Sequence, residues 1–183
     1  KHQSGKLNRH KLRFRKYVDS GGLSFFEIKF KNNKGRTIKQ RVKVKEINSM
    51  ITGKAEEFLK KVTPFDAGMF EPKSRVNFSR MTFVNKLSPE RLTLDTELNI
   101  IKMDGTDLSL QFPNMVIAEA KQNKTNHSSP FMRLVRQRHI REGGISKYCF
   151  GIYSLYDGVK KNNFKPTVRF IHKCINQQVL TPN

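Results

Sequence analysis

"KLRFRKYVDSGGLSFFEIKFKNNKGRTIKQRVKVK", residues 11–45, decides the fold. Three runs of strict alternation are separated by Ser20-Gly21-Gly22 and by Asn32-Asn33-Lys34-Gly35. In the first run Lys11, Arg13, Arg15 and Tyr17 share one side. In the second, Phe26, Ile28 and Phe30 oppose Phe25, Glu27, Lys29 and Lys31. In the third, Ile38, Val42 and Val44 oppose Lys39, Arg41, Lys43 and Lys45. Period-2 alternation specifies half-buried strands, and the Gly- and Asn-rich breaks specify turns between them. Each strand therefore has an apolar face and a cationic face. Cations at every second position stand about 7 Å apart on one face. Like charges in such proximity are unfavourable unless an anion sits among them.

Composition supports an anionic partner. The 183 residues carry 36 Lys and Arg against 15 Asp and Glu, a net charge of +21. Residues 1–45 hold fifteen of those cations against only Asp19 and Glu27, so this quarter supplies +13. A chain so basic attracts nucleic acid, anionic lipid, nucleotides or phosphate polymers. Fourteen Phe, with many Val, Ile and Leu, argue against disorder. Cys149 and Cys174 form no CxxC, which excludes a disulfide framework and a zinc site and suits a reducing, cytoplasmic setting. No apolar run approaches the roughly 20 residues of a membrane span.

Outward from residues 11–45 the alternation continues. The first strand extends over 7–17, and a helix is expected over 48–61. Further strands are expected over 75–85, 90–101 and 114–123. Ser129 as cap, Pro130 at the first helical position and Gly143-Gly144 as the stop predict one helix through that segment. "YCFGIYSLY" and "PTVRFIH" fit either a strand or a short helix. Acids and bases recur together on one face: Glu27 with Lys29, Arg91 with Thr93, Asp95 and Glu97, Glu119 with Lys121. A closed antiparallel barrel would aim these faces at a common lumen. Such a lumen suits a metal–triphosphate ligand, because cations take phosphate oxygens and a carboxylate holds a divalent ion bridging them.

Six segments in order, "GKLNRHKLRFRKY", "FFEIKFKNNKGRTIKQRV", "SRMTFVN", "RLTLDTEL", "VIAEAK" and "ISKYCFG", resemble the VTC domain. This is the catalytic domain of the vacuolar transporter chaperone family, also found as stand-alone bacterial proteins, within the triphosphate tunnel metalloenzymes. The resemblance spans about residues 5–151. It implies an α+β fold: an antiparallel β-barrel or tunnel with flanking helices, forming one domain over 1–183. It implies polyphosphate polymerase activity, in which the γ-phosphoryl of ATP or another NTP passes to a growing polyphosphate chain. A divalent metal, Mn²⁺ or Mg²⁺, assists, and pyrophosphate and inorganic polyphosphate are further ligands. By position, the resemblance makes Lys11, Arg13, Arg15, Lys29, Lys39, Arg41, Arg80, Arg91, Lys121 and Lys147 phosphate-binding. It makes Glu119 the metal ligand, and it places Lys29, Arg91, Glu119 and Lys147 in the catalytic set. Phe78 stands where the family often has Tyr. The family's additional N-terminal strand, with its own acid and lysine motif, has no counterpart here, so the domain is expected to be incomplete at that end.

Other readings remain beside this one. The same tunnel can transfer phosphoryl to water, as a triphosphatase, or bind phosphate without turnover. A basic module for RNA or DNA is a third class, but the aromatics fall on the apolar faces rather than among the cations, and no RNP, KH or helix-turn-helix signature is present. No specific nucleic acid is therefore expected. His2, His10, His127, His139 and His172 show no metal-ligand spacing. Of these, His10 is the one beside the basic strand. The basic helix "RLVRQRHIRE" reads as a solvated helix, or as a surface attracting polyphosphate or an acidic partner.

Overall fold

The computed structural model describes residues 8–106, 108–123 and 129–177; His2 and His127 lie outside them. The chain divides into two compact units, 1–73 and 74–183. Each is an antiparallel sheet with helices against it, so the fold is α+β.

The first unit is the meander expected from residues 11–45. Strands β1 (Arg9–Tyr17), β2 (Leu23–Lys31) and β3 (Thr37–Val44) pair in the order β1-β2-β3. Phe26 and Ile28, both buried, lie on the face opposite the cations. Helix α1 (Lys54–Val62) covers them with Ala55 and Leu59, one turn apart. The helix is shorter than the expected 48–61. Glu56 and Glu57 in its first turn and Lys60 and Lys61 in its last complement the helix dipole. His10 sits on the apolar face opposite Phe30, with ring centroids 4.6 Å apart. It is thereby removed from the cationic side.

The second unit holds β4 (Ser74–Val84), β5 (Glu90–Lys102), β6 (Ser109–Phe112) and β7 (Ile117–Gln122). β5 is central: β4 lies along one edge, and β6 and β7 share the other. The short β6 carries no alternation long enough to be read from sequence. Helices α2 (Pro130–Gln137), α3 (Lys147–Leu155) and α4 (Lys165–Gln177) follow. The two ambiguous C-terminal segments are therefore helical. The core gathers Leu98 and Ile100 of β5, Met115, Phe150 of α3, and Val168 and Ile171 of α4. Gly151 lets α3 approach β5 closely, since a Cβ there would stand 2.6 Å from Ile100 Cγ2.

The expected end of α2 is corrected. Ser129 caps α2 by accepting the Met132 N–H at 3.2 Å, and Pro130 opens the helix, but α2 ends six residues before Gly143. The stop is a Schellman closure. His139 takes φ 53°, its N–H bonds Arg136 O at 3.0 Å, and Ile140 N–H bonds Val135 O at 2.8 Å. A closed barrel would need a further ladder on an outer strand such as β1 or β3. Among the described residues no such ladder is present, and the sheets are antiparallel as expected.

Candidate anion-binding site

Antiparallel pairing turns the alternation of β1–β3 into ranks of side chains across one face. Lys11 pairs with Lys29, and Lys29 with Lys39, so three lysines stand in one rank. The next rank is Arg13, Glu27, Arg41, and the next Arg15, Phe25, Lys43. Directly opposed like charges destabilise a sheet. The face is tolerated because Glu27, 1% exposed, lies at its centre. Arg13 Nε donates to Glu27 Oε2 at 2.7 Å. Lys39 Nζ lies 3.2 Å from Oε1, an ion pair without the alignment of a hydrogen bond. Burial pushes the Glu27 carboxyl up, but the hydrogen bond from Arg13 and the close cationic contacts of Arg13 and Lys39 outweigh it and hold the group below the usual carboxylate range. Arg41 lies over the Phe25 ring at 4.7 Å, and Arg15 Nη1 donates to Tyr17 Oη at 2.9 Å. One buried carboxylate thus anchors an otherwise cationic face. Lys29 was expected at phosphate and Glu27 only as its neighbour; register makes Glu27 the hub.

The second unit repeats the device. Ranks across β4, β5 and β7 are Val84–Arg91–Lys121, Thr82–Thr93–Glu119 and Arg80–Asp95–Ile117. Arg91, Glu119, Lys121, Arg80 and Asp95 therefore share one face. Asp95 is 2% exposed. Arg80 grips it in fork geometry, Nε to Oδ1 at 2.5 Å and Nη2 to Oδ2 at 2.7 Å. Lys147, the first residue of α3, also donates to Asp95 Oδ2. A cation in the first turn opposes the helix dipole, and the Asp95 contact offsets this. Burial pushes Asp95 up, and Arg80 and Lys147 more than reverse it, so the carboxyl is held below its ordinary value. Phe78, the residue in place of the family's Tyr, offers its ring to both cations: Arg80 at 5.2 Å and Lys147 at 4.5 Å from the centroid.

Glu97 does not join this face as the alternation implied. The pairs Asn77–Asn99 and Ser79–Thr96 leave Phe78 facing both Glu97 and Leu98, a β-bulge. Glu97 takes φ 53°, and its carboxylate accepts from Ser79 Oγ. The extra residue resets the parity of β5. Buried positions run Thr93, Asp95 before it and Leu98, Ile100 after it, so the charged site and the apolar core lie end to end on one face.

Glu119 is about half exposed, with Lys121 Nζ 3.4 Å from its Oε1. Among the described residues no three His, Cys, Asp or Glu cluster as a metal centre. A hard divalent ion beside Glu119 would have one carboxylate to take and would need phosphate oxygens for the rest of its shell. A further residue went unread in the sequence: Glu90, buried at the start of β5. It accepts from Gln122 Nε2 at 2.7 Å and bonds Ser129, tying β5 to β7 and to the cap of α2. Hydrogen bonds from Ser129, then Gln122, hold its carboxyl below the usual range. An acid just before an alternating run is the only sequence sign of it. A cleft of about 220 Å³, lined by Ile145, Phe150, Phe164, Val168 and Ile171, is apolar and contains none of these cations.

Strand faces that gather cations around a buried carboxylate, on antiparallel sheets with helices, define the class: an α+β protein with basic sheet faces. A family model described as the VTC domain matches residues 1–156, and the chain belongs to that family. In general the family comprises metal-dependent polyphosphate polymerases that bind nucleoside triphosphates and polyphosphate. No curated protein and no solved structure matches the chain.

Proposed function

We propose that the chain binds the triphosphate of an NTP, and polyphosphate, along these cationic faces and passes the γ-phosphoryl group to a growing polyphosphate chain. The observation that carries this reading is the Lys11–Lys29–Lys39 rank beside the Arg13–Glu27–Arg41 rank, an arrangement that an extended phosphate chain relieves. Each sheet offers its own row of cations to phosphate oxygens. Lys11, Arg13, Arg15, Lys29, Lys39 and Arg41 hold phosphates from one sheet; Arg80, Arg91, Lys121 and Lys147 hold them from the other. A terminal oxygen of the polyphosphate attacks the γ-phosphorus, the bond to the β-bridging oxygen breaks, and the nucleoside diphosphate leaves. Cations of these rows, Lys29 on the first sheet or Arg91 and Lys147 in the second unit, would stabilise charge on the transferring group. A Mn²⁺ or Mg²⁺ ion at Glu119 would add Lewis-acid stabilisation of phosphate oxygens.

The test is incubation of the longest natural form with ATP and Mn²⁺, with free phosphate and long-chain polyphosphate measured separately. Polyphosphate growth matched to nucleoside diphosphate supports the proposal. Free phosphate without chain growth replaces it with a triphosphatase. Binding without turnover leaves a phosphate sensor. Competition at fixed salt adds a second arm, in which tripolyphosphate should displace a fluorescent polyphosphate at lower charge-equivalent concentration than RNA.

A further inference from the structure

We infer that residues 133–141 and the outer face of α4 form a surface that docks on an anionic lipid bilayer. The surface differs in kind from the strand faces. Arg133 and Arg136 of α2, then Arg138 and Arg141 beyond its Schellman stop, are all exposed. Between them Leu134 and Ile140 are 51% and 62% exposed. On α4, Lys165, Arg169 and Lys173 are exposed at four-residue spacing and so run as one stripe, with Phe170 42% exposed beside it. Gly143 joins the two elements, since a Cβ there would come within 2.8 Å of the Phe170 ring. No acid occurs in 129–141 or in α4; Glu142 is the only one in the surface.

The apolar residues choose the partner. Both strand faces gather cations around a buried carboxylate and present few apolar side chains among them. Here the exposed apolar side chains Leu134, Ile140 and Phe170 are interleaved with the cations. Polyphosphate has no apolar part to cover those side chains. RNA would seek a row of stacking aromatics, and among the described residues of these segments Phe170 is the one exposed Phe, Tyr or Trp. A bilayer answers both features, with headgroup phosphates for the cations and the acyl boundary for the apolar side chains. Among the described residues no helix is long and apolar enough to cross a membrane, so the mode is surface docking.

The experiment is vesicle co-sedimentation of the full chain, using phosphatidylcholine alone and phosphatidylcholine with phosphatidylserine. Binding is expected only to the anionic vesicles and should weaken with salt. Arg138→Gln and Arg141→Gln should each lower partitioning about five-fold. The decisive variant is Leu134→Ser with Ile140→Ser, which leaves every charge in place and should lower partitioning at least about ten-fold. Its affinity for soluble polyphosphate, measured in parallel, should not change. Absence of vesicle binding overturns the inference. So does vesicle binding by the double variant equal to that of the parent, which would mean that net charge alone does the work. Loss of RNA binding by the double variant without loss of vesicle binding would assign the surface to nucleic acid instead.

Discussion

Asp95→Asn isolates the buried carboxylate of the second unit. The substitution keeps the size of the side chain and one acceptor oxygen, but leaves Arg80 and Lys147 facing each other without their counter-charge. Removing one partner of a buried ion pair costs about 3–5 kcal/mol. The cost here falls at or below the low end of that range, because the Arg80 and Lys147 side chains are 30% and 19% exposed and regain some water. We expect a loss of about 2–3 kcal/mol, a fall in Tm of about 5–10 °C for a chain of this size. The pH dependence has a definite sign. Arg80 and Lys147 hold Asp95 below its ordinary value of 3.8 despite burial. A depressed carboxyl contributes stability above its unfolded-state pKa and loses it as pH falls through the folded value. The gap between wild type and variant should be full at pH 7 and pH 5 and shrink below the ordinary value of 3.8. Urea unfolding across that range measures it. Tripolyphosphate should then raise the Tm of the variant more than that of wild type, because released cations can take phosphate oxygens instead. A Tm gap under about 2 °C, or equal stabilisation of both proteins by tripolyphosphate, would refute the idea that Asp95 holds a preset pair of anion-binding cations.

Glu119→Gln should leave tripolyphosphate affinity intact or tighter, measured calorimetrically, while metal-dependent turnover is lost; retained turnover would move the carboxylate role away from Glu119. Arg15→Ala should weaken anion binding with little change in Tm, whereas Arg13→Ala should lower both, because buried Glu27 loses its best-aligned partner. Gly151→Ala should destabilise by about 1–3 kcal/mol in urea titration, since its Cβ would meet Ile100 Cγ2 at 2.6 Å and press α3 away from β5. His139→Gly should stabilise by up to about 1 kcal/mol, read as a small rise in urea midpoint, because φ 53° suits glycine.

Much of the architecture was legible because strands β1–β5 and β7 announce themselves by alternation. The cationic face of residues 11–45 follows from the same signal: with a period of two, each cation's side is settled once the apolar side is buried. Helix ends were less legible. Gly143-Gly144 looked like the natural stop for α2, yet His139 accepts the left-handed conformation and the chain turns four residues earlier. Local propensity ranks glycine first at such a position, but hydrogen bonds to Val135 and Arg136 decide where the helix closes. Similarly, no alternation reveals a bulge. The sequence places Glu97 beside Asp95, and only pairing with β4 shows that Glu97 is the extra residue and that Leu98 takes the buried side.

The sequence by itself determined that this chain carries cationic strand faces and belongs to the VTC domain family, because composition, alternation and motif order are local properties. Only the tertiary structure decided which carboxylate each cation serves. Glu27 draws Arg13 from one neighbouring strand and Lys39 from the other, and Asp95 draws Lys147 from a helix 52 residues away. Those choices depend on burial: a carboxylate removed from water must find its counter-charges wherever packing brings them, and no sequence spacing encodes that distance.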